Sequence, residues 1–190
     1  MFKGFKFTIP NLLSLYRLFA FPFILGMVIL KWEVLFAIFI CISLVTDILD
    51  GWIARQFNQK TEYGAKLDSI ADMTTYFLGF IGLFVFKWSD IEPYKYPLFL
   101  FIFLFLVCYF FSLIKFGRFP SLHLYSWKIG GYIQGLFFFT LFAIGFYEWF
   151  YFLMVYWGIL AFIEHLTIQL LIKEMRINAK GLYWVLKSQK

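Results

Sequence analysis

Four aspartates lie within 26 positions of this 190-residue chain, which has only eleven acidic residues in all. Asp47 and Asp50 are three positions apart, and Asp68 and Asp72 are four apart. In a helix, each of these spacings places both carboxylates on one face. The surrounding residues are strongly apolar, and a carboxylate at membrane depth costs at least about 2.5 kcal/mol. Four carboxylates in one place therefore require compensation.

Divalent cations would provide that compensation, because clustered like charges cannot all stay ionised without them. Oxygen ligands with no nearby histidine or cysteine favour Mg²⁺, Mn²⁺ or Ca²⁺ over Zn²⁺. Two ions about 3.5–4 Å apart would suit an in-line phosphoryl displacement. A divalent-cation transporter or channel is the alternative, because intramembrane carboxylates also serve permeation. The four aspartates sit at one end of their helices, however, which favours the enzyme.

Small and basic residues accompany the aspartates. Gly51 follows the second aspartate, Ala54 lies four residues from it on the same face, and Gly64 precedes the third by one turn. Their missing bulk would leave room for a flat ligand, although small residues also let membrane helices pack closely. Arg55 is placed at a helix end to bind a phosphate with its planar guanidinium. Its alternative role is to extend to the membrane interface.

The elements that position these residues are predicted to be transmembrane helices. The chain is 63% hydrophobic and 25% aromatic, too apolar for a soluble domain of this length. The fold class is therefore all-α, an integral membrane bundle in one domain with a lead-in at residues 1–10 and a cytoplasmic tail at 173–190. A spanning helix needs about 20 apolar residues. Six segments qualify: 11–30, 33–57, 67–87, 95–116, 129–147 and 149–172.

The net charge of +6 is interpreted as membrane orientation rather than as nucleic-acid binding, because the basic residues lie between apolar runs. With both termini in the cytoplasm, only Lys31, Lys87 and Lys95 fall on the far side. Cys41 and Cys108 lie inside apolar runs and carry no metal or redox signal. Small residues at Gly26, Gly79 and Gly82 would serve internal packing or a homodimer. The remaining fourteen bases fall on the cytoplasmic side: Lys3, Lys6, Arg17, Arg55, Lys60, Lys66, Lys115, Arg118, Lys128, Lys173, Arg176, Lys180, Lys187 and Lys190.

The aspartate region resembles the defining motif of the CDP-alcohol phosphotransferases, also called class I CDP-alcohol phosphatidyltransferases. Eight residues agree in type and in spacing. The segment Ile9-Pro10-Asn11-Leu12-Leu13, with Arg17, resembles the entry segment of the same family. The eight motif residues are Asp47, Asp50, Gly51, Ala54, Arg55, Gly64, Asp68 and Asp72.

This resemblance implies a reaction and a set of roles. A CDP-linked donor such as CDP-diacylglycerol would transfer its substituted phosphate to an alcohol, with release of CMP. Two Mg²⁺ or Mn²⁺ ions would be held by the four aspartates, and Asp72 would also act as general base on the acceptor hydroxyl. Donor binding would fall to Asn11, Asp50, Gly51, Ala54, Arg55, Thr61 and Gly64.

The acceptor is predicted from a basic cluster between the fourth and fifth segments: Lys115, Arg118, His123 and Lys128. These residues would bind an acceptor with its own phosphate, or they reflect only the positive-inside bias. Glu164 and His165 would line the groove toward the acceptor or form an interhelical hydrogen bond. Glycerol-phosphate users of the family usually carry an Arg-Glu pair at the fourth helix and Gly-Lys before the fifth. This chain has neither pair, only Trp127-Lys128. Glycerol 3-phosphate is the leading acceptor, and because of this departure the phosphatidylserine, phosphatidylinositol-phosphate and cardiolipin synthases stay open as alternatives.

Overall fold

The computed structural model describes residues 8–59, 61–118, 124–172 and 179–187. These residues form helices joined by short connections, with no strand among them. The order is α1 (Ile9–Ile29), α2 (Glu33–Gln56), α3 (Glu62–Phe86), α4 (Trp88–Ile91), a 3₁₀ turn (Glu92–Tyr94), α5 (Lys95–Phe116), α6 (Tyr125–Ala143), α7 (Glu148–Leu171) and α8 (Leu182–Lys187). The all-α prediction is confirmed.

Five helical stretches of the described chain are long and apolar enough to cross a membrane. The predicted fifth segment corresponds to α6, which is not among them. α6 has 19 residues, but its first half carries Lys128, Gln134 and adjacent glycines, which reduce its apolar character. Outward-facing apolar side chains support a membrane environment, because Phe19 and Phe23 are 71% and 72% exposed. The chain is therefore a multi-pass membrane protein, and a count of six spans remains a prediction.

Capping residues explain where two helices begin earlier than predicted. The Thr8 side chain accepts a hydrogen bond from the Asn11 backbone N–H and caps α1. Positions 9 and 10, predicted as lead-in, therefore belong to the helix. The Thr61 side chain accepts from the Gly64 backbone N–H at 2.9 Å and starts α3 five residues before the predicted boundary. Asp68 consequently lies nearly two turns inside α3.

The chain divides into two compact units. The first contains residues 1–90 and 138–145. Within it, α1 packs against both α2 and α3. Lys87, after α3, donates to Glu33, at the start of α2, at 2.7 Å, as expected for an antiparallel pair. Phe36 is fully buried and occupies the space left by the missing side chain of Gly82.

The glycines of this unit have different surroundings. Gly79 lies against the ring of Phe138, so both Gly79 and Gly82 serve packing inside the unit. A side chain built at Gly26 would meet nothing within 4 Å. Gly26 therefore has no internal packing role, and homodimer formation stays a prediction.

The second unit contains residues 91–137 and 146–190. Here α5 packs against α7, and Gly158 admits the ring of Phe101. The Tyr151 hydroxyl donates to the Tyr94 carbonyl at 2.7 Å. Near the C-terminus, α8 packs on α7 and buries Val185, while Tyr183 and Trp184 stay exposed.

Several predictions fall on residues that the structure does not describe. They concern most of the lead-in, part of the C-terminal tail and the acceptor candidate His123. Six of the cytoplasmic bases also lie outside the described residues: Lys3, Lys6, Lys60, Lys173, Arg176 and Lys190.

Candidate active site

One arginine joins the four aspartates. Arg17 of α1 has a fully buried side chain. Its Nη1 lies 2.5 Å from Asp47 and 2.8 Å from Asp72, and its Nη2 lies 2.6 Å from Asp50 and 2.7 Å from Asp68. The two acidic pairs, on α2 and α3, therefore meet around a single guanidinium.

The helix positions explain this convergence. α2 and α3 are antiparallel neighbours, so the second half of α2 lies beside the first half of α3. The spacings of three and four bring each pair to the face that meets α1. On α1, Asn11, Ser14 and Arg17 follow one another at intervals of three and are each 2% exposed. They form a polar stripe on an otherwise apolar helix, and the Ser14 hydroxyl donates to Asp50 at 3.2 Å.

The charge balance of this cluster is incomplete. Ligand oxygens of Asp47, Asp50 and Asp68 all lie within 4.8 Å of one another. Two unit charges 4 Å apart repel by about 4 kcal/mol at an effective dielectric constant of about 20. One guanidinium leaves three of four negative charges unbalanced when all the carboxylates are ionised. The donor set is hard, all-oxygen and close enough to share a cation, so it fits divalent metal binding.

The four carboxylates differ in accessibility. The Asp50 side chain is 3% exposed, whereas Asp47, Asp68 and Asp72 are 25%, 40% and 37% exposed. Asp50 is thus a buried anchor. Asp68 and Asp72 have a face that a bound molecule can reach.

A cavity of about 230 Å³ opens beside the cluster. It lies within the first unit, between the starts of α1 and α3 and the end of α2. Its lining includes all seven residues predicted to bind the donor: Asn11, Asp50, Gly51, Ala54, Arg55, Thr61 and Gly64. The structure therefore brings the predicted donor residues together around one cavity, with Asp68 at its edge.

Gly64 lies where two other cavity residues pack closely. A Cβ at this position would clash with the Asn11 side chain and lie 2.7 Å from the Thr61 hydroxyl oxygen. The space beside Gly64 is thus filled by these two residues. Its missing side chain lets Asn11 of α1 approach the first turn of α3.

Gly51 and Arg55 lie next to each other at the cavity. Arg55 is exposed, and its guanidinium lies over Gly51, with Nη1 3.4 Å from where a Cβ would stand. A side chain at Gly51 would therefore press on Arg55. The arrangement leaves a cationic group at the cavity wall, suited to a phosphate.

The predicted acceptor residues belong to the second unit. The Lys115 ammonium donates to the carbonyls of Gln169 and Leu170, at 2.7 and 3.2 Å, and so caps the end of α7. Lys128 is exposed in the first turn of α6, with its ammonium 5.5 Å from the Tyr125 ring centre. Arg118 is exposed. Lys115 therefore has a structural role, and Lys128 and Arg118 remain the candidates for binding the phosphate of the acceptor.

Glu164 and His165 have separate roles. Glu164 accepts from the Ser126 hydroxyl at 2.5 Å and from the Leu182 backbone N–H at 2.9 Å, which ties α6, α7 and α8 together. His165 is 1% exposed and packs at a tilt against Trp127, with ring centroids 4.6 Å apart. Neither of its ring nitrogens has a hydrogen-bond partner among the described residues. Glu164 therefore forms interhelical hydrogen bonds, the second of its two predicted roles, whereas His165 forms none among the described residues.

Sequence reasoning missed the central position of Arg17 and the contact of Ser14. The distribution of basic residues assigns Arg17 to membrane orientation, whereas the structure buries it in an ion cluster. A signal was present, because a basic residue within a spanning helix usually pairs with an acid in the bundle. The polar spacing of Asn11, Ser14 and Arg17 marks the same face.

Comparison with known proteins places the sequence beside one family of enzymes. The sequence model of the CDP-alcohol phosphatidyltransferase family matches residues 7–168. A protein of Salmonella choleraesuis is 40% identical over 70 residues, and one of Escherichia coli is 43% identical over 70 residues. Each is named CDP-diacylglycerol–glycerol-3-phosphate 3-phosphatidyltransferase. Each match covers 35% of this chain and 38% of the relative.

No solved structure matches this chain. The family match extends over most of the sequence and includes the aspartate cluster, the cavity and the polar stripe of α1. The chain belongs to the CDP-alcohol phosphatidyltransferase family.

Proposed function

We propose that this protein transfers a phosphatidyl group from CDP-diacylglycerol to an alcohol, with release of CMP. The observation that carries the proposal is the convergence of four carboxylates beside a cavity lined by the predicted donor residues. Family membership supports the transferase over the alternative of a cation transporter. The names of the relatives support the lipid donor.

The CDP part of the donor would bind in the cavity of the first unit. Arg55 would offer its guanidinium to the diphosphate, and Asn11 and Thr61, which also line the cavity, would offer polar groups. Gly51 and Ala54 add little side-chain volume to the α2 side of the cavity, which leaves space for the donor. The lipid chains would extend into the bilayer, which suits a site built on spanning helices.

Members of the family use a divalent metal. We propose that two Mg²⁺ or Mn²⁺ ions are held by Asp47, Asp50, Asp68 and Asp72. When bound, they would neutralise the cluster and stabilise charge on the diphosphate as it breaks.

Asp72 is proposed as the general base. Its side chain is 37% exposed, so an acceptor hydroxyl can reach it. It would take the hydroxyl proton while the acceptor oxygen forms a bond to the lipid-bearing phosphorus. The bond from that phosphorus to the bridging oxygen breaks, and CMP leaves with the electron pair. A positioned base of this kind typically contributes about 10²- to 10⁴-fold in rate.

Glycerol 3-phosphate is the proposed acceptor, because both relatives are named for it. Lys128 and Arg118 would bind its phosphate. The absence of the Arg-Glu and Gly-Lys pairs typical of glycerol-phosphate users is a reason to test serine, inositol phosphate and phosphatidylglycerol alongside.

We further propose a bacterial inner-membrane location with six spans. An even number of spans places both termini on one side, and the distribution of basic residues favours the cytoplasm. The exposed Tyr183 and Trp184 of α8, with Lys180 and Lys187, would lie on the inner membrane surface. The site would then face the cytoplasm, where CDP-lipids and phosphorylated alcohols are available.

The test is CMP release by the purified full chain in nanodiscs, with CDP-diacylglycerol, Mg²⁺ or Mn²⁺, and each acceptor in turn. We expect release with glycerol 3-phosphate and none without an acceptor. Release with only a different acceptor would correct the acceptor and retain the reaction. Absence of release with every acceptor and metal would overturn the proposal.

A further inference from the structure

Every terminal N–H group of the Arg17 guanidinium donates a hydrogen bond to a carboxylate. An arginine has two N–H groups on each terminal nitrogen and one on Nε. Nη1 contacts Asp47 and Asp72, Nη2 contacts Asp50 and Asp68, and every distance is 2.8 Å or less. Each terminal N–H thus has its own carboxylate. Nε is buried without a partner among the described residues, so the four carboxylates decide the position of the group.

Arg17 contacts the same aspartates that a metal ion would need as ligands. One carboxylate oxygen from each of Asp47, Asp50 and Asp68 belongs to the group close enough to share a cation. Arg17 donates to one oxygen of each of these same residues and to Asp72. Its side chain is fully buried, so the guanidinium has no contact with solvent.

We propose that Arg17 is an internal competitor for the metal site, holding the four carboxylates together until divalent cations displace it from them. Arg17 is then a positioning residue, because it acts on the carboxylates and not on the reacting groups. This inference rests on the proposed function, since it requires the aspartates to be the metal ligands. Its consequence is that the chain folds its acidic cluster without metal and binds metal more weakly than the bare carboxylates would.

The alternative is that Arg17 only supports the site and remains in place when metal binds. The two possibilities predict opposite signs. Removing a competitor strengthens metal binding, whereas removing a support disperses the ligands and weakens it. The measurement is Mn²⁺ binding to the full chain in nanodiscs, from the electron paramagnetic resonance signal of free Mn²⁺, with no donor or acceptor present.

For Arg17→Gln we expect Mn²⁺ to bind about 5- to 150-fold more tightly than in the wild type, the range typical of coupled sites. We also expect the thermal unfolding midpoint in EDTA to fall and saturating Mn²⁺ to restore it. Arg55→Gln is the matched control. It removes the same charge from the same unit without removing an ion pair of the cluster, and it should change Mn²⁺ affinity less than threefold.

An Arg17→Gln protein that binds Mn²⁺ more weakly, or equally, would overturn the proposal. If this variant folds only with Mn²⁺ present, the metal has replaced the arginine charge, as proposed. If it fails to fold in both conditions, Arg17→Lys decides, because lysine keeps the charge but lacks the planar fork. Tighter Mn²⁺ binding by Arg17→Lys supports competition, and weaker or unchanged binding contradicts it.

The two proposals fail separately. Mn²⁺ binding that tightens in Arg17→Gln, together with no CMP release by the wild type, would retain the competition and reject the transferase. CMP release by the wild type, together with weaker Mn²⁺ binding in Arg17→Gln, would retain the transferase and reject the competition. Absence of Mn²⁺ binding in both proteins would reject the competition.

Discussion

The two compact units both bury polar side chains, but they satisfy them differently. In the first unit, Arg17 places each terminal N–H on a carboxylate. In the second unit, the His165 and Trp127 rings lie against each other at a tilt, yet the His165 nitrogens and Trp127 Nε1 lack hydrogen-bond partners among the described residues. Paired buried groups fix positions strongly, whereas unpaired ones cost stability; in the Arg17 guanidinium, Nε alone lacks a partner among the described residues. The first unit therefore has the features of a preorganised site.

The largest expected effect is on the carboxylate assigned as base. Asp72→Asn keeps the size of the side chain and an oxygen that can accept from Arg17, but it cannot take a proton. We expect kcat for CMP release to fall by at least about 100-fold, in line with loss of a general base, while donor binding changes little. Asp90→Asn, at an exposed aspartate outside the cluster, is the control. Normal turnover by Asp72→Asn would contradict the assignment.

The next effect concerns close packing in the first unit. Gly64→Ala would press a methyl group into Asn11 and Thr61. Overpacking of this kind costs about 1–3 kcal/mol, and the distorted cavity wall should also weaken donor binding. Both are measured in detergent, as free energy of unfolding and as CDP affinity.

Gly26→Ala is the matched control for that substitution, because its added methyl meets nothing within 4 Å. Replacing a helical glycine with alanine should stabilise it by up to about 1 kcal/mol. Equal effects of the two substitutions would show that the approach of α3 to α1 is looser than the contacts around Gly64 indicate.

The cavity residues illustrate what the sequence made predictable. The resemblance to the family's motif and entry segment implies all seven donor residues, and helix periodicity with an antiparallel connection explains why those on α2 and α3 lie together. The centre of the cluster was harder to predict. Arg17 lies 30 positions before Asp47, and no periodicity rule indicates which face of one helix meets two others. Only the polar stripe of α1 carried that information.

The fold shows the same division between local and long-range information. Apolar runs located five spanning stretches. Capping by Thr61 moved the start of α3, and polar residues in α6 lowered the apolar character of the one remaining predicted span. The roles of Lys115 and Glu164 depend on contacts across 54 and 38 positions. Such contacts follow from packing, which local sequence patterns do not specify.

The second unit offers a smaller effect at Lys128. Loss of a charge-assisted hydrogen bond to phosphate costs about 1.5–3 kcal/mol. We expect Lys128→Ala to raise KM for a phosphorylated acceptor roughly tenfold or more, with KM for the donor unchanged. Lys187→Ala, at another exposed lysine of this unit, should leave both constants unchanged. A similar rise in both KM values would indicate a structural role for Lys128.

The smallest effect is expected at the unpaired histidine. His165→Phe keeps a ring packed against Trp127 and removes two buried nitrogens that have no hydrogen-bond partner among the described residues. The free energy of unfolding should stay within about 1 kcal/mol of the wild-type value or increase, because removing unsatisfied polar atoms is nearly neutral or stabilising. A loss of several kcal/mol, or of acceptor binding, would show that these nitrogens have partners in the working protein.

The proposed chemistry requires four carboxylates that gather around divalent cations. Anomalous diffraction from crystals grown with Mn²⁺ would locate these ions. We predict two Mn²⁺ peaks about 3.5–4 Å apart, enclosed by Asp47, Asp50, Asp68 and Asp72. Peaks located elsewhere, or aspartate side chains pointing away from one another, would rule out this metal site.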